Sequence, residues 1–265
     1  MTGRVEGAIR DANGEERAAL IVYLPAGYPD MPASQACLEA AAEAGADVLE
    51  VGFPYSDPVL DGPTIQAANQ AALGGGYTTA DDLAMCATLT ARVGVPVLVM
   101  TYYNLVWHYR GTDQLAAFAS AVAGAGLAGA ILPDLPPEEG GPWGAAAEAA
   151  RLETVFLAAP TSTNERCKAV ADASTGFVYA TSLLGVTGER RSLSAAALPL
   201  VRRLRAVTDK PVCVGIGVAT PAHAAEVSQF ADGVIVGSAA VTAAGSGGPA
   251  AVTALVHDLA AACHR

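Results

Sequence analysis

Basic side chains are scarce: 15 lysines and arginines stand against 26 aspartates and glutamates, a formal net charge of −11. Nucleic acid and anionic membrane surfaces would both repel such a chain, so neither is expected as a partner. The four histidines, His108, His223, His257 and His264, fall on helices or beyond strand ends, where surface roles are expected. Five cysteines, Cys37, Cys86, Cys167, Cys213 and Cys263, are scattered and odd in number, with no C-x-x-C pair and no histidine at ligand spacing. That pattern excludes a disulfide framework, gives no metal site, and fits reduced, buried thiols in a cytoplasmic protein. Ser56 and Ser238 have no histidine nearby in sequence, which leaves a hydrolase triad without support. The first twenty residues carry Arg4, Arg10 and Arg17 and lack the apolar centre of a signal peptide. No run of roughly 18 apolar residues marks a membrane span.

What the chain does have is length and apolar content, 265 residues with 52% hydrophobic side chains, enough for a large core. Apolar runs at 19–25, 46–52, 95–101, 128–133, 154–159, 176–182, 211–216 and 231–237 read as eight strands. Helical patterns at 32–45, 79–92, 112–125, 138–151, 163–174, 195–207, 220–230 and 249–263 follow them in turn, Thr78 or Thr79 being able to cap the second. A further apolar-patterned stretch runs over 65–73. Strict alternation implies a parallel sheet with right-handed crossovers, and eight units predict a (β/α)8 TIM barrel. No linker divides residues 1–265, so a single domain is expected. The glycine fingerprint of a doubly wound sheet is missing after the first strand.

Function in such barrels sits at the C-terminal strand ends. Glu50 lies there, a carboxylate inside a buried strand, where an unpaired charge costs several kcal/mol. Alternation puts Val48 and Glu50 on one face and Leu49 and Val51 on the other, so Glu50 is expected to point into the barrel mouth. A structural carboxylate would need a basic partner, and the strands contain almost none. Burial should raise its pKa toward that of an acid–base catalyst. Asp61 follows in the same loop. Asp-Gly-Pro alone reads as a turn, yet beside Glu50 a second carboxylate allows two acid–base roles.

Glycines at 185 and 188, 215 and 217, and 237 with Ser238 follow the sixth, seventh and eighth strands. Tight turns explain any one of them; together they match the usual phosphate site of this barrel. Residues 182–194 have the composition of a mobile lid, though an ordinary exposed loop fits as well. Tyr23, Tyr102 and Tyr179 fall near strand ends, where they could line a pocket for a flat ring or fill core.

The run LEVGFPYSDPVLDGPTIQ at 49–66 closely resembles the signature of the tryptophan synthase α subunit. YYNL at 102–105, PDLP at 133–136, APT at 159–161, GVTG at 185–188 and GSA at 237–239 extend the resemblance over nearly the whole chain. It implies a (β/α)8 barrel that cleaves indole-3-glycerol phosphate to indole and glyceraldehyde 3-phosphate. Carried over by motif, Glu50 is the acid–base group at indole C3 and the side-chain hydroxyl, and Asp61 holds the ring N–H. Tyr23 and Tyr179 match substrate contacts, Tyr23 standing where phenylalanine is common; Thr187 matches the lid threonine, and Gly188, Gly217, Gly237 and Ser238 match the phosphate positions. Pro54 and Asp57 match positions that signal to a β subunit.

The resemblance further implies an α2β2 heterotetramer with indole passing to the β subunit. Pyridoxal phosphate would belong to that partner, so this chain needs no cofactor. A stand-alone lyase releasing free indole would use the same site. Two departures stand out: the segment before Ala19 is short and glycine-containing for the family's N-terminal helix, so its packing is in question, and Val218-Ala219-Thr220 follows Gly217 where serine is common.

Overall fold

In the computed structural model, which describes residues 3–181, 193–215 and 217–265, the chain begins with helix α1 (Arg4–Gly14) and strand β1 (Ala19–Pro25). There follow α2 (Met31–Glu43), β2 (Val48–Gly52), α3 (Pro63–Gly74), α4 (Thr79–Thr90), β3 (Val97–Met100), α5 (Tyr103–Trp107), α6 (Gln114–Gly124) and β4 (Gly129–Ile131). The second half holds α7 (Gly141–Ala149), β5 (Glu153–Ala158), α8 (Asn164–Ala173), β6 (Val178–Thr181), α9 (Leu193–Arg205), β7 (Val212–Gly215), α10 (Pro221–Ser228), β8 (Gly233–Val236) and α11 (Ser238–Ala262). The strands pair in sequence order, all parallel, and β1 closes on β8 with Ala19 opposite Gly233, so the predicted barrel is the fold.

Alternation along each strand builds two layers. Ile21, Val48, Leu98, Ile131, Val155, Cys213 and Ile235 meet inside the barrel. Leu20, Leu49, Val51, Val97, Val99 and Val214 face the helices. All five cysteines are free thiols buried in these layers.

Local chemistry starts the helices where short polar side chains stand. Asp30 accepts the Ala33 N–H ahead of Pro32, Thr163 accepts that of Arg166, and Thr220 that of His223. Thr78 and Asp81 form a reciprocal capping box at α4.

Four differences from expectation have local causes. The apolar stretch after Asp61 is a full helix, α3, entered through Gly62 and Pro63, so two helices cross from β2 to β3. α7 begins at Gly141 rather than 138, because Glu139 and Gly140 donate back to Pro136 and Pro137 in a turn. The last helical segment begins at Ser238 and breaks at Gly248, whose φ of 59° and ψ of −149° precede Pro249. By length and a mean hydropathy of 1.3, residues Ser238–Ala262 could cross a membrane, which the sequence pattern did not suggest. They lie instead against α2 and β1 with Val241, Val252, Val256 and Leu259 buried.

The N-terminal segment differs most. α1 is an eleven-residue helix whose Val5, Ile9 and Ala12 join the barrel's interior cluster. Its start is capped by a carboxylate from another element: Glu153, the first residue of β5, accepts the Val5 N–H at 2.8 Å and the Glu6 N–H at 3.1 Å. Gly3 is the residue that permits this, since a Cβ there would overlap the Glu153 carboxylate.

Candidate active site

Glu50 stands in β2 between Tyr23 of β1 and Leu98 of β3, in register with both. It turns inward, as alternation requires, and lies 1% exposed on the wall of a cavity of about 290 Å³ at the C-terminal strand ends. Its Oε1 has no hydrogen-bond partner among the described residues. Burial pushes its carboxyl up to about 8, so at neutral pH the group holds its proton.

Asp61, in the loop after β2, lines the same cavity. Burial pushes it up to about 6, while hydrogen bonds from Asn69 and Tyr102 pull the other way. The Asn69 amide donates to Asp61 Oδ2 at 3.2 Å. One carboxyl is therefore an acid at pH 7 while its neighbour is mostly an anion, the separation of roles expected of paired catalytic carboxylates.

Tyr23 and Tyr179 also line the cavity. Both phenols are held well above their usual range, first by burial, then by Asp61 and Glu50 for Tyr23 and by Glu50 for Tyr179, so they remain neutral donors. Each ring lies across the next strand, over Gly52 for Tyr23 and Gly215 for Tyr179, where a Cβ would overlap the phenol oxygen. Tyr102 stands behind Asp61 rather than on the cavity wall. Its hydroxyl accepts the Leu60 N–H at 3.1 Å, and its ring stacks on Tyr55 with centroids 5.1 Å apart.

Gly217, Gly237 and Ser238 close another side of the cavity. Gly217 has φ of 95°, a left-handed backbone that glycine adopts freely. Ser238 opens α11, so the first-turn N–H groups of that helix begin at the cavity. Among the described residues the lining contains no lysine or arginine, and backbone N–H groups and hydroxyls are there to meet an anion. Thr187 and Gly188, with the rest of 182–192 of the expected lid, lie outside the described residues, while Leu193 and Ser194 already belong to α9. Pro54 is buried and Asp57 exposed, and neither lines the cavity; the Ser56 hydroxyl donates to Asp57 Oδ2 at 2.6 Å.

Sequence reasoning missed Asn69, which orients Asp61, and the apolar walls Ile65, Met100, Leu157 and Val218. A signal for Asn69 existed, because it is a polar side chain on the face of α3 that buries Ala68 and Ala72. The walls give none, since inward apolar residues look alike whether they fill core or border a ligand. Among the described residues no group of three or more metal-binding side chains occurs. The cavity is thus a largely apolar pocket with an acid, an anion and an N–H-bearing end, suited to moving protons on an apolar ring that carries an anionic tail.

Comparison with known proteins points the same way. Residues 9–262 match the family described as Tryptophan synthase alpha chain. The tryptophan synthase alpha chain of Leifsonia xyli subsp. xyli is 51% identical over 257 residues, covering 97% of each chain. That of Mycobacterium tuberculosis is 54% identical over 245 residues, covering 92% of this chain and 88% of its own. A crystal structure of M. tuberculosis tryptophan synthase superposes with a TM-score of 0.91 at 49% identity, covering 100% of both chains.

Proposed function

We propose, from the premise that this chain belongs to the tryptophan synthase alpha chain family, that Glu50 and Asp61 perform the family's retro-aldol cleavage. The activity is that of a carbon–carbon lyase in tryptophan biosynthesis, converting indole-3-glycerol phosphate to indole and glyceraldehyde 3-phosphate. The bond to break joins indole C3 to the glycerol chain, and an aromatic C3 cannot accept its electrons. Glu50, neutral at pH 7, donates a proton to C3 and makes an electron sink. Asp61, ionised, holds the ring N–H and stabilises its developing positive charge.

The Glu50 carboxylate then takes the proton of the side-chain hydroxyl. As that O–H bond breaks, a carbonyl forms, the carbon–carbon pair returns to the ring, and indole leaves with Glu50 protonated again. Tyr23 and Tyr179 flank the ring, and Tyr102 steadies Asp61. Gly217, Gly237 and Ser238 receive the phosphate. A buried carboxyl whose Oε1 has no partner among the described residues, lining the same apolar cavity as Asp61, is the observation that supports this reading.

The family membership implies a β-subunit partner. We place the contact on the loop from Pro54 to Asp57, whose neighbours Val59 and Leu60 are 78% and 53% exposed. An α2β2 assembly in the cytoplasm, with pyridoxal phosphate on the β subunit alone, completes the reading. An indole-release assay on wild type and Glu50→Gln, with and without a β subunit, tests it. Strong activation by the β subunit and loss of turnover in the variant are expected; a variant that kept most of its turnover would remove Glu50 from the mechanism.

A further inference from the structure

A second cavity, of about 340 Å³, lies behind the loop that connects β2 to Asp61. Pro54, Tyr55 and Ser56 form one wall, Ala72 and Leu73 at the end of α3 another, and Tyr77, Thr78, Thr79 and Asp82 at the start of α4 a third, with Leu105 completing it. Among the described residues it shares no lining residue with the cavity that holds Glu50 and Asp61.

Asp82 is the anomaly there. It is 4% exposed, and its Oδ1 has no hydrogen-bond partner among the described residues. The helix start does not need it, because Asp81 already fills the capping box, accepting from both the N–H and the hydroxyl of Thr78. The fold therefore buries a second carboxylate one residue along without an evident structural use. Leaving such a buried acceptor without a hydrogen bond costs about 1–3 kcal/mol. Among the described residues the cavity lining holds no lysine, arginine or histidine to meet it. Burial first, then Asp81, pushes its carboxyl up to about 7, so a cationic neighbour would readily hold it ionised.

The remaining walls define what would fit. Pro54, Ala72, Leu73 and Leu105 are apolar, Tyr55 and Tyr77 contribute aromatic side chains to the lining, and Ser56 with Thr79 offers hydroxyl oxygens to N–H donors. A net charge of −11 raises the local concentration of cations and lowers that of anions. We propose that this cavity is a binding site for a small organic ammonium with an apolar body, Asp82 being its counter-ion.

Phenethylammonium is a suitable probe, with phenethyl alcohol as its uncharged counterpart, titrated calorimetrically into the full-length chain. Binding to wild type is expected, at least tenfold weaker for the alcohol. Asp82→Asn should weaken phenethylammonium at least tenfold while indole release stays within twofold of wild type. Leu73→Trp, which adds bulk to a cavity wall while leaving Asp82 in place, should abolish binding and gives a second test independent of any folding defect in the first variant. Equal affinity of wild type and both variants, equal affinity for ammonium and alcohol, or no saturable heat would each overturn the proposal. None of these readings depends on the roles of Glu50 and Asp61.

Discussion

Two carboxyls in one cavity with different proton affinities make a prediction about rate. Activity needs Asp61 ionised and Glu50 protonated, so kcat/KM should be bell-shaped, with limbs near 6 and 8 in the free enzyme. The two limbs belong to the pair as a whole. Asp61→Asn should lower kcat/KM by ~10²–10⁴ and remove the acidic limb. A profile that retained that limb in the variant would transfer the limb to another group. Tyr102→Phe gives a finer test. Loss of its hydroxyl removes a bond that lowers the Asp61 pKa and frees the Leu60 N–H, so the acidic limb should move to higher pH.

At the scale of elements, α1 depends on a contact made across the sequence. Glu153→Ala leaves the Val5 and Glu6 N–H groups without their acceptor and should cost about 1–3 kcal/mol, read as a lower midpoint in urea unfolding. Glu153→Gln keeps one acceptor oxygen and should fall between; a midpoint unchanged in Glu153→Ala would mean that α1 docks by Val5 and Ile9 alone. This element also marks the boundary of what sequence could reveal. Eight strands, their inward faces and Glu50 were legible because period-2 alternation and a charge in an apolar run are local signals. The glycines of the first segment put its packing in question, yet Gly3 is the space that Glu153 fills. A cap supplied from about 150 residues away leaves no local trace. The same holds for Tyr23 over Gly52 and Tyr179 over Gly215, where strand register, not sequence spacing, makes the pair.

For the molecule as a whole, the buried acids set how stability varies with pH. Glu50, Asp61 and Asp82 are pushed to about 8, 6 and 7 in the folded chain, from ordinary values near 4. Between those limits the native state holds protons that the unfolded chain has released. By linkage, unfolding free energy then falls as pH rises. The stabilisation is complete near pH 4 for these groups and is lost in turn as pH passes about 6, 7 and 8. Each tenfold difference in proton affinity corresponds to about 1.4 kcal/mol, so Glu50 alone contributes a slope of several degrees in Tm. The melting temperature should therefore be highest at mildly acidic pH and decline toward pH 8, which thermal scans across pH 5–9 would read. Glu50→Gln, which cannot ionise, should melt above wild type at pH 8 and close to it at pH 5. A wild-type Tm that rose from pH 5 to 8 would mean that these carboxyls are ionised at little cost in the native state, and the assignment of Glu50 as the resting proton donor would fall with it.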